Sequence, residues 1–501
     1  KRMVVKKQGP GIVTAGAPLA VTLDGTARLS LVNGPATVSS LSATGASVLV
    51  LPTRGTAPSL SVTGAASFTG TSSISLSLQS LAQAQTITVI SADGGLTTDH
   101  AATLVNPSVT PYLFTASAPV LTATTLSINL TRRSAADIGL TGGQANLYNQ
   151  SLTALGNGTP EAVAIANLPN QAAVVAAYRQ ITPPSYGRAA VRAAETLADQ
   201  GFGAAYERLA SLAATRKKGS GDIGVWAQEV GNFTKDRGST TGQQTPFSAN
   251  TLGLAVGADK SILGFDAVGV AIVANWTGVK QQVAPGFADV PVQINTQAIQ
   301  PYLSWSWKSV FVQANALAAK TRYSSSRVVS IGNLTNTIGA NWSGSQFGAG
   351  LTVGARLKYG HFQIVPTNSL FWSTVRQGGY TETGGGGFNL AVDSRTDTIL
   401  TDTVRLSVTY LRPLGEGNLL AEVHGSYSQR LKNSAAPTVA HFLTSNESIV
   451  LPQEAESSSK YGFGGGVGYV QGAVKFILGY DRRQNSSYKD QQGAFTATMA
   501  F

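Results

Sequence analysis

Through the last half of the chain, apolar and polar residues alternate with period two. In TLGLAVGAD, Leu252, Leu254, Val256 and Ala258 share one parity, and Gly253, Ala255, Gly257 and Asp259 share the other. QFGAGLTVGARLKY sets Phe347, Leu351, Val353 and Leu357 against Gly348, Gly350, Gly354, Arg356 and Lys358. VRLSVTYL sets Val404, Leu406 and Val408 against Arg405 and Ser407, and LLAEVHGSY sets Leu419, Val423 and Tyr427 against Glu422 and His424. YGFGGGVGY sets Tyr461, Phe463 and Val467 against Gly462, Gly464, Gly466 and Gly468. Each segment reads as a strand with one apolar face and one small or polar face. The pattern predicts twelve strands, near 222–235, 249–260, 265–278, 294–307, 309–323, 344–358, 361–377, 397–412, 418–431, 458–470, 472–483 and 488–501.

Short connections are expected after the second, fourth, sixth, eighth and tenth strands, and long ones after the first, third, fifth, seventh and ninth. One short rim and one long rim, with an even strand number, is the pattern of a transmembrane β-barrel. A soluble sandwich would also alternate, but it does not sort its connections by length. In lipid the sheet must close, because an open edge leaves backbone groups without partners. Trp226, Trp276, Trp305, Trp307 and Trp372 fall near strand ends and are expected to form an interfacial girdle. The C-terminal GAFTATMAF keeps the alternation to its last residue, with Phe495, Met499 and Phe501 on one parity.

Composition sharpens this picture. Of 501 residues, 43% are hydrophobic and only 12% are charged, about half the usual charged share. No apolar run approaches the roughly 18 residues of a spanning helix. Low charge without such a run fits strands that hide half their residues from lipid. The chain has no cysteine, which excludes disulfides and thiolate metal sites. The net charge is +11, but the basic residues are scattered rather than interleaved with aromatics, so no nucleic-acid partner is expected. Outer-membrane lipids and lipopolysaccharide are the expected counter-charge. No signal peptide is visible at Lys1, so the sequence is expected to be a mature or trimmed form.

The inward parity carries glycine and alanine where a porin would carry charge. Small residues permit close approach of another backbone. The segment PPSYGRAAVRAAETLADQGFGAAYERLASLAAT predicts a helix over about 184–214, alanine-rich and preceded by Pro183-Pro184. Thirty residues span roughly 45 Å, enough to cross a barrel. Arg188, Arg192, Glu195, Glu207 and Arg208 are too many charges for a lipid-facing helix but suit a polar lumen. Inside that lumen the expected contacts are Gly462, Gly464, Gly466, Arg356, Arg405 and Glu422. A separate helical hairpin with residues 160–180 is the alternative.

An alanine-rich helix, the basic linker at 215–219, about twelve strands and a terminal Phe together resemble the translocator domain of type V autotransporters. GVWAQEVGNF at 224–233 resembles that family's first strand. HFQIVPTNSLFW through GGYTETGGGGFNLAV, at 361–392, resembles its Pro-containing strand and following Glu-bearing loop. The resemblance covers roughly residues 180–501. It implies an outer-membrane location, barrel assembly machinery as a partner, and Phe495, Met499 and Phe501 as the signal that machinery reads. Some family members cut themselves at an Asn in the pore helix; this helix has none, and Asp199-Gln200 is the nearest equivalent.

Residues 20–135 are rich in Ser, Thr, Val, Leu and Gly, with short runs such as ARLSLV, SVLVLP, SISLSL and TITVIS. They predict rungs of a β-solenoid, with a compact sandwich as the alternative. TITVISADGGL and LSINLTRR resemble the end of autotransporter passengers. The expected fold class is thus all-β: a transmembrane antiparallel barrel of about 12 strands with an α-helix in the pore, preceded by a β-solenoid (parallel β-helix) passenger remnant. The expected division is 1–150 passenger, 151–221 linker with pore helix, and 222–501 barrel.

Chemistry is sparse. His100, His361, His424 and His441 lack metal-ligand spacing. No Gly-x-Ser-x-Gly elbow occurs, and the glycine clusters lack the Lys-Ser/Thr ending of a phosphate loop. No catalytic, cofactor or metal site is expected. Glu422 and His424 share a strand face, which is read as solvation or helix contact in preference to acid–base chemistry. An autotransporter is the expected function. The rivals are a porin-like channel, a barrel-embedded hydrolase, and a structural partner in a surface complex. A surface protein or host ligand for the passenger is left unnamed.

Overall fold

Asp24-Gly25, Thr44-Gly45 and Thr69-Gly70 recur through the first hundred residues, and each glycine has a positive φ, of 63°, 64° and 78°. They stack: a Cβ on Gly45 would lie 3.0 Å from Gly25, and one on Gly70 3.2 Å from the Gly45 nitrogen. Left-handed backbone packed that closely requires glycine, so these are the corners of successive layers. Between the corners the strands pair in parallel. Leu19–Leu23, Ala36–Ala43, Leu60–Val62 and Ala84–Ala92 form one series. Arg28–Ser30, Val48–Thr53 and Ser73–Leu78 form a second. Thr125–Arg132 then runs antiparallel to Ala84–Ala92 and ends the first series. The computed structural model describes residues 2–5, 19–31, 35–53, 57–82, 84–105, 111–183, 186–215, 223–238, 246–262, 264–282, 288–451 and 459–500.

After the short helix Ala135–Ile138, three longer helices follow, Gly142–Ala154, Pro160–Ala166 and Gln171–Ile181. Just past the second of them, the Asn167 side chain accepts a hydrogen bond from the Leu78 N–H (2.8 Å) and donates one to the Leu78 carbonyl (2.7 Å). A side-chain amide thus pairs an edge strand that would otherwise offer open backbone groups.

Twelve long strands form the rest: β1 Ile223–Asp236, β2 Phe247–Lys260, β3 Ala267–Gln281, β4 Val290–Trp307, β5 Val310–Ile331, β6 Leu334–Ala355, β7 Phe362–Gln377, β8 Arg395–Leu414, β9 Gly417–Ser434, β10 Ser459–Gln471, β11 Val474–Gln484 and β12 Tyr488–Ala500. Each is antiparallel to the next, and β12 returns to β1 from Gly224↔Ala500 to Asp236↔Tyr488. The barrel is closed and has no edge. Alternation sorts the faces. Leu252, Leu254, Val256, Ile272, Phe347, Val423, Val467 and Leu478 are exposed on the outer face, while Gln228, Asn232, Thr251, Asn275 and Gln300 are buried within. Phe495 and Met499 also lie on the outer face; Phe501 lies outside the described residues.

Two expectations are corrected here. The connection after the fifth strand is short, because β5 and β6 run on to the Gly332-Asn333 turn. At 22 residues each they far exceed the 9–11 needed to cross a bilayer. Their surplus has its own apolar side, since Val329, Ile331 and Ile338 are buried. Trp226 is not in a girdle: it points inward, is 2% exposed, and donates from Nε1 to the Tyr302 hydroxyl at 2.8 Å. Its hydrophobic ring misleads because the inward face is itself packed. Trp276, Trp305, Trp307 and Trp372 are exposed on the outside.

The long-loop rim carries a small sheet of Tyr380–Thr381, Leu390–Val392, Thr438–Phe442 and Ile449–Leu451. Its Leu390, Phe442 and Ile449 join Leu155, Ile165, Tyr178 and Ile181 and the strands around Leu51, Leu76 and Phe68 in one continuous buried core.

The barrel lumen as candidate functional site

The helix Gly187–Thr215 forms because Ala and other good helix formers dominate it. Gly201 and Gly203 lie within it without ending it. It begins at Gly187; Pro184 and Ser185 lie outside the described residues. Arg188, Arg192, Glu195 and Asp199 recur at intervals of four, three and four, which puts them on one side of the helix. Each meets a charge or ring on an inward strand face. Arg188 donates to Asp236 of β1. Arg192 bonds Glu195 at 2.7 Å and lies 3.9 Å over the Tyr488 ring. Glu195 accepts from Arg430 of β9 and from Lys460 of β10, the latter at 3.0 Å. Asp199 accepts from Arg483 of β11, which also reaches Asp490 at 2.6 Å.

The other side of the helix meets uncharged residues. Leu197, Ala198 and Ala205 pack against Ala255, Ala271, Val273 and Ala298. Phe202 lies edge-on to Phe371, with ring centres 5.0 Å apart, and closes on Gly350. A Cβ on Gly201 would strike Gln300, and one on Gly253 would strike Gln200 and Asn275. At the outer end, Tyr186 stacks on Trp342, which stacks in turn on Tyr323 and Tyr380.

Not all expected contacts are made. A Cβ at Gly462 meets Ser426, at Gly464 Asp481 and His424, and at Gly466 Leu478 and Ile477. The glycine ladder therefore makes room for side chains of neighbouring strands, not for the helix. Arg356 lies 4.2 Å over the Phe311 ring, in the rim of short turns. Arg405 donates to Glu422 at 3.2 Å. His424 lies 3.3 Å from Glu422 and 2.6 Å from Asp481. These groups, with Asp199 and Arg483, line a cavity of about 230 Å³ between the helix and β8–β12. Glu207 and Arg208 belong to the helix, but their side chains lie outside the described residues.

Arg430, Lys460 and Arg483 were missed as helix partners, although all fall on the inward parity of their strands. The buried pair of Arg327 and Glu382 was missed as well. Its two bonds of 2.9 and 2.7 Å tie the β5–β6 ribbon to the loop after β7. Arg327 also donates to the Gln180 carbonyl, which caps the end of Gln171–Ile181.

A closed, edgeless barrel with an apolar exterior and a polar interior defines a bacterial outer-membrane protein. The Autotransporter beta-domain family model matches residues 225–481, just over half of the chain, and the chain belongs to that family. Its barrel lies in the outer membrane. Outer membrane protein A of Rickettsia rickettsii is 23% identical over 291 residues, which is 56% of this chain and 13% of that protein. The chain therefore spans only a small part of that relative's length. Among solved structures, the translocator domain of the autotransporter NalP from Neisseria meningitidis aligns at TM-score 0.44 and 12% identity, over 63% of this chain and 99% of that one. The β domain of the Bordetella autotransporter BrkA aligns at 0.40 and 13%, over 55% and 98%.

Proposed function

We propose that the barrel is plugged by Gly187–Thr215 and holds the N-terminal region as a β-solenoid stem on the cell surface. The ion pairs from Arg188, Glu195 and Asp199 to inward faces of β1, β9, β10 and β11 carry this reading. Charges at membrane depth are tolerated when they face an interior and find partners there. The parallel pairing of successive strands and the stacked glycine corners support the solenoid. The core shared by this region and the outer loops supports placing the end of the passenger unit near Ile181. Among the described residues His424 pairs with Glu422 and Asp481 and makes no hydrogen bond to the Ser426, Ser428 or Thr403 hydroxyls that share the cavity, so the Glu422–His424–Asp481 group reads as lumen electrostatics. The barrel assembly machinery would act on the outer face of β12, where Phe495 and Met499 lie.

Planar-bilayer recording tests the plug. The full chain is expected to conduct weakly, and deletion of 187–215 to open a steady conductance. Equal currents from both would defeat the plug and favour a porin-like channel. Protease shaving of whole cells should degrade the N-terminal region and spare the barrel; full protection would place that region elsewhere.

A further inference from the structure

On the lipid-facing side of the long-loop rim, the closing seam of the barrel gathers cations. Lys489 of β12 stands directly opposite Lys235 of β1. Lys235 is paired through Ser248 to Lys280 of β3. Arg237 follows two residues beyond Lys235 on the same parity, and its N–H continues the ladder to Ser487. All four side chains are exposed, and none has a hydrogen-bond or ion-pair partner among the described residues. The carboxylates at these strand ends, Asp236 and Asp490, point into the lumen and are bound by Arg188 and Arg483. Asp289, just before β4, makes no ion pair with any of the four. Glu229 lies six residues down β1, roughly 20 Å away.

Two like charges directly opposite on one sheet face repel each other. The sequence keeps such a pair and adds Arg237 and Lys280 beside it, with no acid partner. Beneath the cluster the outer face turns aromatic, with Phe233, Trp276 and Tyr480 exposed. A cationic patch directly above an aromatic and apolar band matches a lipid with a phosphorylated headgroup and acyl chains below. We propose that Lys235, Arg237, Lys280 and Lys489 bind the phosphates of lipopolysaccharide in the outer leaflet, at the seam where β1 meets β12. Bound phosphate neutralises the Lys235–Lys489 repulsion and so fastens the closing pair of strands.

The test is titration of the refolded full chain in detergent with lipopolysaccharide, with the same lipid stripped of its lipid A phosphates, and with inorganic phosphate. Each cation near a lipid surface contributes about fivefold in affinity, so Lys235→Gln with Lys489→Gln should weaken lipopolysaccharide binding by roughly twentyfold. Lys358→Gln, at the opposite rim, should change it less than about twofold. The dephosphorylated lipid and inorganic phosphate should both bind far more weakly than the intact lipid. Equal binding by the double variant, or equal binding of the dephosphorylated lipid, overturns the proposal; inorganic phosphate binding as well as the lipid would make this a free-anion site and also overturn it. Thermal unfolding adds a sign. Lys235→Gln should raise the midpoint without lipopolysaccharide, by removing repulsion, and lower it relative to the parent when lipopolysaccharide is present. A lowered midpoint in both conditions would assign the lysines to the fold alone.

Discussion

The N-terminal region and the barrel are both built from strands whose side chains alternate, yet they point their apolar residues in opposite directions. Leu23, Leu49, Leu51, Phe68 and Ile74 are completely or almost completely buried. Leu252, Leu254, Val256 and Phe347 are exposed on the barrel exterior, while Gln228, Asn275, Gln300 and Gln346 are buried inside. One region keeps its core within the fold. The other uses lipid as its apolar surroundings and packs its interior with amides, hydroxyls and ion pairs. Alternation alone thus specifies a strand; which parity is inside depends on the solvent around the sheet.

The largest expected effect comes from the barrel interior. Glu195→Ala leaves Arg430 and Lys460 facing each other without their shared carboxylate, and losing one partner of a buried pair costs about 3–5 kcal/mol. Unfolding in urea with folded-barrel mobility on gels as the readout would measure it. A loss below about 1 kcal/mol would mean that the helix is held by solvated, surface-like contacts. Next comes the same substitution made in both regions. Leu51→Ala should destabilise the N-terminal region by about 2–5 kcal/mol, whereas Leu254→Ala should cost the barrel much less, because lipid chains close over the gap. Similar losses at both positions would remove the contrast between the two kinds of interior.

A smaller effect separates the two faces of the barrel wall. Gly253→Leu pushes into Gln200 of the helix and Asn275, and overpacking of this kind costs about 1–3 kcal/mol. Gly231→Leu, on the lipid side with nothing within 4 Å of its Cβ, should be silent in the same thermal assay. The converse outcome would move the helix away from β2.

The smallest effect concerns pH and lies in the N-terminal region. Burial works against charge on His100, but its bond to Asp99 and another to the Ser72 carbonyl outweigh this and raise its pKa above the ordinary 6.5. Its Nε2 meets the Ser72 carbonyl at 2.7 Å, which requires an N–H there, while Nδ1 meets the Asp99 carboxylate. Because the folded pKa is raised, the contribution is complete below about pH 6.5 and is lost as pH rises through the folded value. Thermal midpoints across pH 5.5–8.5 should therefore fall slightly more for the parent than for His100→Gln. Parallel curves would show that this pair does not couple to folding.

Much of the barrel was legible in the sequence, because period-two alternation is imposed locally by the strand and by the two media it separates. Ten of the twelve strands lie within about four residues of their expected bounds, β5 and β6 being the exceptions, and the apolar stripe of TLGLAVGAD faces outward as its parity requires. Long-range partners were less legible. The Gly462–Gly468 ladder suggested room for the helix, but room on an inner wall can equally be taken by Ser426, His424 and Asp481 from adjacent strands. Trp226 fitted a girdle by residue type and lies inside by parity. A long connection was expected between strands ending near 323 and starting near 344, but the pairing of β5 with β6 continues through Ser324, Ser325 and Ser326 to Ile331 and Leu334.

The sequence by itself determined the strands, their faces, the short connections except the one after the fifth strand, and the existence of an alanine-rich helix beside them, since each follows from local periodicity and composition. Only the tertiary structure decided which wall of the lumen carries the helix. Arg188, Glu195 and Asp199 needed Asp236, Arg430, Lys460 and Arg483, which lie up to nearly three hundred residues away and meet them only once β12 has closed on β1. Closure likewise brings Lys489 against Lys235, two cations at opposite ends of the barrel sequence. No local pattern encodes such pairings, because they depend on the register in which a sheet joins its first strand to its last.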